Sequence, residues 1–295
     1  MATAEQRRAR LARREAALAA RAAMTPAGPA PGLLRLATWN VNSLRVRLPA
    51  LERLLERAAP DVVCLQETRT AAPADAATAL LDGLGYRLVH HGTGAAGGVA
   101  VATRLPLLVQ DPPPAAEVLA REPRLVSCVV DAGRPVRVAS VYVPHGREVD
   151  HWHMRFKLDF LAALASQART WRDDGGLVLA GDVNVAPTDS DVFHPDAFVG
   201  ATHVTRAERE AWAAVLDAGL VDLDVAVWGE RARRFTWWGY GHRYATNLGM
   251  RIDVVAADAD LAARVVTTWV DHAERGGERP SDHAALLADL DLREG

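Results

Sequence analysis

A chain of 295 residues can hold one large domain or two small ones, and a hydrophobic content of 49% is enough for a sizeable core. The formal net charge of −3 excludes a general attraction to nucleic acid, so any phosphate contact needs a local basic face. Only two cysteines are present and no apolar run is long enough to cross a bilayer, which argues against a disulfide scaffold and against a membrane protein.

Residues 1–32 differ from the rest. Arg7, Arg8, Arg10, Arg13, Arg14 and Arg21 lie among alanines, and Pro26, Pro29 and Pro31 then break the helical composition. No hydrophobic stretch follows the basic start, so the segment does not read as a signal peptide. It is either a basic arm that touches phosphates or a disordered extension with Met24 as the true start; the extension is the favoured reading. With nothing suggesting secretion, the expected location is the cytoplasm and Cys64 is expected to be a buried, reduced thiol.

Residues 33–295 read as a single domain. Leu33 to Asn40 alternates as a strand and ends in the polar cluster Asn40 and Asn42. Leu48, Leu51, Leu54, Leu55 and Ala58 form a helical stripe with Pro49 in its first turn, and Pro60 stops it. Asp61 to Glu67 is the next strand, delivering a carboxylate at its end. A second helix is expected from Asp75 to Leu84. Gly92 to Gly97 matches a dinucleotide fingerprint, but the alternating Val99 to Thr103 follows where a helix would be required, so this is a hairpin loop. Leu125–Val130 and Val136–Val143 read as paired strands. Trp152, Phe156, Phe160, Leu164, Ala168 and Trp171 recur at helical spacing.

The apolar run Leu177 to Ala180 reads as a short buried strand ended by Gly181, which lets another backbone approach closely. Asp182 and Asn184 follow at i and i+2. In extended chain they project together from a rigid strand tip, while the alternative is an Asx turn. A helix is expected near Arg206 to Ala218. An aromatic run spans Phe235 to Trp238, Arg251 to Ala256 is a strand with the embedded acid Asp253, and Asp282 and His283 lie near the end. Strands and helices mix throughout, so a single α/β domain is expected.

Asn40, Glu67, Asp182, Asn184, Asp253, Asp282 and His283 all end or interrupt apolar segments. Carboxylates and amides without cysteine suit a hard cation, Mg2+ or Mn2+. Several acids in one site repel one another unless a cation lies between them, and an Asp beside a His can hold it as imidazolium. These are the parts for metal-assisted hydrolysis of a phosphate ester.

The motifs Thr38-Trp39-Asn40-Val41-Asn42-Ser43-Leu44-Arg45, Leu65-Gln66-Glu67-Thr68, Tyr142-Val143-Pro144, Gly181-Asp182-Val183-Asn184, Gly249-Met250-Arg251-Ile252-Asp253 and Ser281-Asp282-His283 run in this order. Together they resemble the exonuclease III family of apurinic/apyrimidinic (AP) endonucleases, over about Leu33 to Leu290. The resemblance implies an α/β fold of two packed β-sheets forming a sandwich flanked by helices, in four layers. It implies a Mg2+-dependent DNA-repair nuclease that cuts 5′ to abasic sites and trims 3′ ends, acting on double-stranded DNA as a monomer. It further implies catalytic roles for Tyr142, Asp182, Asn184, Asp253 and His283. Asn40, Glu67, Asp182, Asn184, Asp282 and His283 would surround the metal, and Trp237, Met250, Arg251 and Ile252 would meet the substrate. Whether Asp182 or His283 takes the water's proton is open, with Asp182 preferred.

Three positions depart from the family pattern: His145 after Tyr-x-Pro, Leu248 before Gly249, and Arg69 after Gln-Glu-Thr. They put fine substrate preference in doubt. A phosphatase or phosphodiesterase acting on small molecules, and a non-catalytic DNA-binding relative, are the competing readings. The aromatic run weighs against the first and the intact catalytic set against the second.

Overall fold

The computed structural model describes residues 32–293 apart from 74, 95 and 96; the basic segment up to residue 31 lies outside the described residues. The strands in chain order are β1 (Leu33–Asn40), β2 (Val62–Gln66), β3 (Arg87–His91), β4 (Val99–Thr103), β5 (Leu107–Gln110), β6 (Leu125–Asp131), β7 (Pro135–Tyr142), β8 (Gly176–Asp182), β9 (Leu220–Asp222), β10 (Trp237–Trp238), β11 (Gly249–Met250), β12 (Asp253–Asp258), β13 (Val265–Asp271) and β14 (Ala285–Asp291). The helices are α1 (Leu44–Ala58), α2 (Asp75–Gly83), α3 (Glu117–Ala120), α4 (Trp152–Asp173), α5 (Arg206–Leu216), α6 (Leu223–Trp228) and α7 (Ala259–Ala262).

Two six-stranded sheets pack face to face, one in the order β13-β14-β1-β2-β4-β3 and the other β5-β6-β7-β8-β12-β9. Among the described residues only β1–β2 and β7–β8 pair in parallel, and each pair is bridged by a helix, α1 and α4 respectively. Among the described residues no helix is long and apolar enough to cross a membrane.

Side-chain alternation builds four layers. On β1, Leu34 and Leu36 enter the core between the sheets, whereas Ala37 and Trp39 pack with Leu51 and Leu54 of α1. On β8, Val178 and Ala180 enter the same central core, whereas Leu177 and Leu179 pack with Phe160 and Leu164 of α4. Strands buried on both faces read as continuous apolar runs, which is why Leu177 to Ala180 showed no alternation. Each such Val or Leu contributes roughly 1.5–3 kcal/mol on leaving water. Cys64 and Cys128 are free thiols inside the central core.

Several boundaries differ from the expectations. Helix α1 begins at Leu44, so Pro49 lies in its second turn rather than its first. The early start is held from outside: Ser43 N–H donates to Glu67 C=O at 2.8 Å and Leu44 N–H to Thr68 C=O at 3.1 Å. Trp152 opens α4 but is 54% exposed, because it precedes the part of the helix that lies on the sheet. Strand β8 continues through Gly181 to Asp182, and there a Cβ at Gly181 would stand 1.9 Å from Val141 C=O. The glycine permits the close approach of β7 without ending the strand. Strands β3 and β4 pair antiparallel, the pairing that a hairpin requires.

Candidate active site

The same alternation fixes the site. Gln66 on β2 and Thr38 on β1 have the parity of the central core, as does Ser140 on β7. They form a buried polar layer there: Gln66 Nε2 donates to Thr38 Oγ1 at 3.1 Å and to Ser140 Oγ at 3.1 Å, and Ser140 Oγ donates to Leu65 C=O at 3.1 Å. Two residues further along come Asn40 on β1, and Tyr142 and Asp182, which are register partners on β7 and β8. Asp253 of β12 stands opposite Asp182 on its other side. The seam between the sheets thus turns from apolar to polar and opens on a row of reactive groups.

Asn40 joins the two sheets. Its Nδ2 donates to Glu67 Oε1 at 3.0 Å and to Asp182 Oδ2 at 3.0 Å. Tyr142 Oη donates to Glu67 Oε1 at 2.9 Å, and Arg69 forks onto the other carboxylate oxygen of Glu67. Glu67 adopts a left-handed φ of 50°, which a non-glycine residue holds only under constraint from its surroundings. Asp282 accepts from Asn42 Nδ2 at 3.0 Å and from Trp237 Nε1 at 3.1 Å. His283 Nδ1 lies 2.8 Å from Asp253 Oδ2, and its Nε2 lies 3.7 Å from Asp182 Oδ2. The turn carrying it is anchored by Ser281 Oγ, which donates to Asn40 C=O at 2.6 Å.

The electrostatics follow from burial and neighbours. Burial pushes Asp182 up, the His283 charge opposes this, and the balance is a pKa of about 7. Burial pushes His283 down, but the carboxylates of Asp253 and Asp182 outweigh it and raise the imidazole to about 10. For Glu67, burial acts upward, and the hydrogen bonds from Asn40 and Arg69 bring it below the ordinary carboxylate value. Asp282 is also lowered: burial acts upward, but the His283 charge and the Asn42 and Trp237 hydrogen bonds prevail.

The donor set fits a hard cation. Glu67, Asp282 and the amide of Asn40 supply oxygen, while the cysteines lie in the apolar core away from this row. Ligand atoms of Asp182, Asp253 and His283 lie within 4.8 Å of one another, and Asp253 Oδ1 is buried without a hydrogen-bond partner. A cation among these acids relieves their mutual repulsion.

His283 lies within reach of a cation beside Asp182 and Asp253, with its Nδ1 2.8 Å from Asp253 Oδ2. Three other expectations need correction. Asn184 is not aimed at Glu67 or Asp282: its Oδ1 faces His203 Nε2 at 3.1 Å and its Nδ2 donates to Val143 C=O at 2.9 Å. Arg251 does not meet substrate. It is 2% exposed, with Nε on Asp191 Oδ1 at 2.6 Å and Nη1 on Asp222 Oδ2 at 2.6 Å. Met250 and Ile252 are 4% and 3% exposed, packed with Ala186 and Val192, so they offer little free surface beside the half-buried Trp237.

Nor is the chain extended from Asp182 to Asn184. Asn184 has φ 50° and its N–H donates to Asp182 Oδ1 at 2.9 Å, which makes an Asx turn at the end of the strand. The two readings of this stretch therefore coincide: the turn presents the carboxylate. Asn42 and Arg69, which hold Asp282 and Glu67, were not among the expected site residues. Each stands two positions after an expected one, Asn40 and Glu67.

Residues 37–283 match the Endonuclease/Exonuclease/phosphatase family. An exodeoxyribonuclease III from Haemophilus influenzae is 28% identical over 268 residues, covering 87% of this chain and 100% of that protein. An AP endonuclease structure from Archaeoglobus fulgidus superimposes with a TM-score of 0.82 at 30% identity, covering 88% of this chain and 100% of that one. A 3′ phosphatase from Neisseria, solved with a product DNA hairpin, gives a TM-score of 0.82 at 34% identity with the same coverage. The chain belongs to the endonuclease/exonuclease/phosphatase family, in its exonuclease III-type AP endonuclease branch.

Proposed function

We propose that this chain is a Mg2+-dependent DNA-repair hydrolase that cleaves the phosphodiester 5′ to abasic sites and removes nucleotides or blocking groups from 3′ ends of duplex DNA. The observation that carries the reading is the buried carboxylate of Asp182. It is fixed by Asn40 and Asn184, with the His283 cation 3.7 Å away and Glu67 and Asp282 in the same seam. Relatives named as an exodeoxyribonuclease III, an AP endonuclease and a 3′ phosphatase, the last holding a product DNA hairpin, support the substrate class.

In this mechanism Asp182 accepts the proton of the attacking water. A base with a pKa near 7 balances availability against driving force at neutral pH. His283 keeps its proton and directs Nε2–H at a phosphate oxygen, stabilising the charge that builds there. Asp253 fixes the ring orientation and sustains its charge. An amide hydrogen of Asn184 supplies a further donor, and Tyr142 Oη, whose single hydrogen goes to Glu67 Oε1, turns to the phosphate by giving up that bond. A Mg2+ held by Glu67, Asp282 and Asn40 would polarise the phosphate and offset charge on the leaving oxygen; Mn2+ suits the same oxygens.

The basic face that an acidic chain requires lies beside this row. A cavity of about 740 Å3 next to Asn42 is lined by Arg45, Arg47 and Arg69 and suits a DNA backbone. The half-buried Trp237, above Met250 and Ile252, offers a flat apolar wall to an extruded abasic sugar. Residues 33–295 act in this reading as one catalytic domain, monomeric and cytoplasmic.

The test is incubation with a duplex carrying one abasic site and with a duplex ending in a 3′-phosphate, each in Mg2+ and in EDTA. Metal-dependent incision 5′ to the lesion and phosphate release are expected. Turnover of a small phosphate ester with no cleavage of either duplex would overturn the proposal.

A further inference from the structure

Behind Asn184 lies a buried polar cluster that the mechanism above does not use. Lys157 and Glu208 pair with both side chains fully buried. Lys157 Nζ also donates to Asn184 C=O at 2.6 Å. Glu208 accepts from Thr202 Oγ1 at 2.7 Å and from His203 N–H at 2.8 Å. The ring of His203 meets the edge of His145 at a centroid distance of 4.5 Å. So the His145 that follows Tyr-x-Pro belongs to this cluster.

Two features of His203 go beyond packing. Its φ is 79°, a left-handed value that a residue with a Cβ rarely adopts. Its hydrogen bond to Asn184 also has a fixed sense. Val143 C=O can only accept, so Asn184 must turn its NH2 that way. Asn184 Oδ1 then faces His203 at 3.1 Å, and His203 Nε2 must carry the hydrogen. Burial, followed by the nearby Lys157 charge and His145, pushes His203 well below its ordinary pKa. The ring is therefore neutral, with Nδ1 bare.

We propose that His203 is a positioning residue for phosphodiester hydrolysis: it donates Nε2–H to Asn184 Oδ1 and locks the Asx turn that presents Asp182, leaving the second amide hydrogen of Asn184 for the phosphate. The proposal rests on the nuclease reading above. The physical argument is geometric. Asn184 is held at four atoms, through its N–H, C=O, Nδ2 and Oδ1. Without the Oδ1 contact the amide plane is held only by the Nδ2 bond to Val143 C=O, so the second donor loses part of its aim while the backbone of the turn stays put. Misplacement of a catalytic group by about 1 Å costs up to about 100-fold in rate.

The test compares three variants with wild type under saturating Mg2+ on the abasic duplex. His203→Leu fills the space without a donor. His203→Asn suits a left-handed backbone but has a shorter side chain that falls short of Asn184. His203→Gln places an amide N–H near the Nε2 position. The first two should lower kcat about 10- to 100-fold with KM nearly unchanged, and His203→Gln should recover most of kcat. Binding of the duplex in EDTA, read by fluorescence anisotropy, should be equal for all four proteins. His203→Leu should cost little more in an Asn184→Ala background, since the group being aimed is gone. If His203→Leu does not fold, His203→Asn carries the comparison. Wild-type kcat in the donor-less variants, equal loss in His203→Gln, or a change in KM alone would overturn the proposal. Inactive wild type would instead refute the nuclease reading.

Discussion

Asp182 and Asp253 are cross-strand partners in the register of β8 and β12, two buried carboxylates side by side at the seam between the sheets. Like charges so placed in a dry site repel, and His283 resolves the conflict by lying against both. The arrangement separates their roles. Asp253 holds the imidazolium and Asp182, raised to about 7, keeps a proton affinity useful for a base.

Replacing Asp182 with Asn should therefore reduce kcat by about 10²–10⁴-fold, the usual range for loss of a general base. The fold should survive, because the amide oxygen can still accept from Asn184 N–H and only the Asn40 bond to the other carboxylate oxygen is lost. Cleavage of abasic duplex and a thermal melt of the same sample check both halves. Near-normal turnover in a folded variant would remove Asp182 from the role.

The His283 ion pair makes stability depend on pH in a definite direction. Its pKa rises from 6.5 to about 10 on folding, so the native state binds the extra proton between these values. The stabilisation is fully present below pH 6.5 and is lost as pH rises through about 10. Asp182, raised from 3.8 to about 7, also makes stability fall with rising pH over its own window. In EDTA, wild type should melt above His283→Gln at pH 7, and the gap should close by pH 10.5. A gap independent of pH would contradict the charged state of His283.

Glu67→Ala should raise the Mg2+ concentration for half-maximal activity by about tenfold or more, with partial recovery at high metal. Glu67 also accepts from Tyr142 and Asn40, so recovery should stay incomplete. Metal titrations of the two proteins decide this, and an unchanged midpoint would argue against the ligand role.

Arg251→Ala should act on stability. It leaves Asp191 and Asp222 buried without their cation, which costs about 3–5 kcal/mol. Denaturant unfolding should show this loss. If any folded fraction remains, its KM for DNA should match wild type.

Trp237→Ala should lower abasic-site cleavage about tenfold more than it lowers removal of a 3′-phosphate, which needs no extruded sugar. The ratio of the two activities in a folded variant is the measurement. Equal losses would assign Trp237 to the support of Asp282 alone, through its Nε1 contact.

Asn40, Glu67, Asp182 and Asp253 were readable because each is a polar residue at the edge of an apolar run, and strand edges are where a sheet delivers side chains to a site. What the sequence could not carry was pairing over distance. Nothing near Arg251 announces that Asp191 and Asp222 will neutralise it, so a buried brace read as a substrate contact. His203 was hidden for the same reason: its partner Asn184 belongs to another loop, and its left-handed backbone leaves no mark on composition. The Asx turn was foreseen as an alternative to function, whereas the structure uses the turn to present Asp182.

The interleaving of the two sheets sets the order in which the nuclease can come into being. The second sheet uses strands from the middle of the chain, β5 to β9 with β12, whereas the first takes β1 to β4 from one end and β13 and β14 from the other. During synthesis β1 waits beside an empty edge until residues 285–291 have emerged, and Asp282 and His283 arrive just before them. A chain whose residues from 282 onward are still inside the ribosome therefore holds Asn40, Glu67 and Asp182 but lacks the cation and the last carboxylate. The DNA-cutting apparatus is armed only when its closing strand is in place.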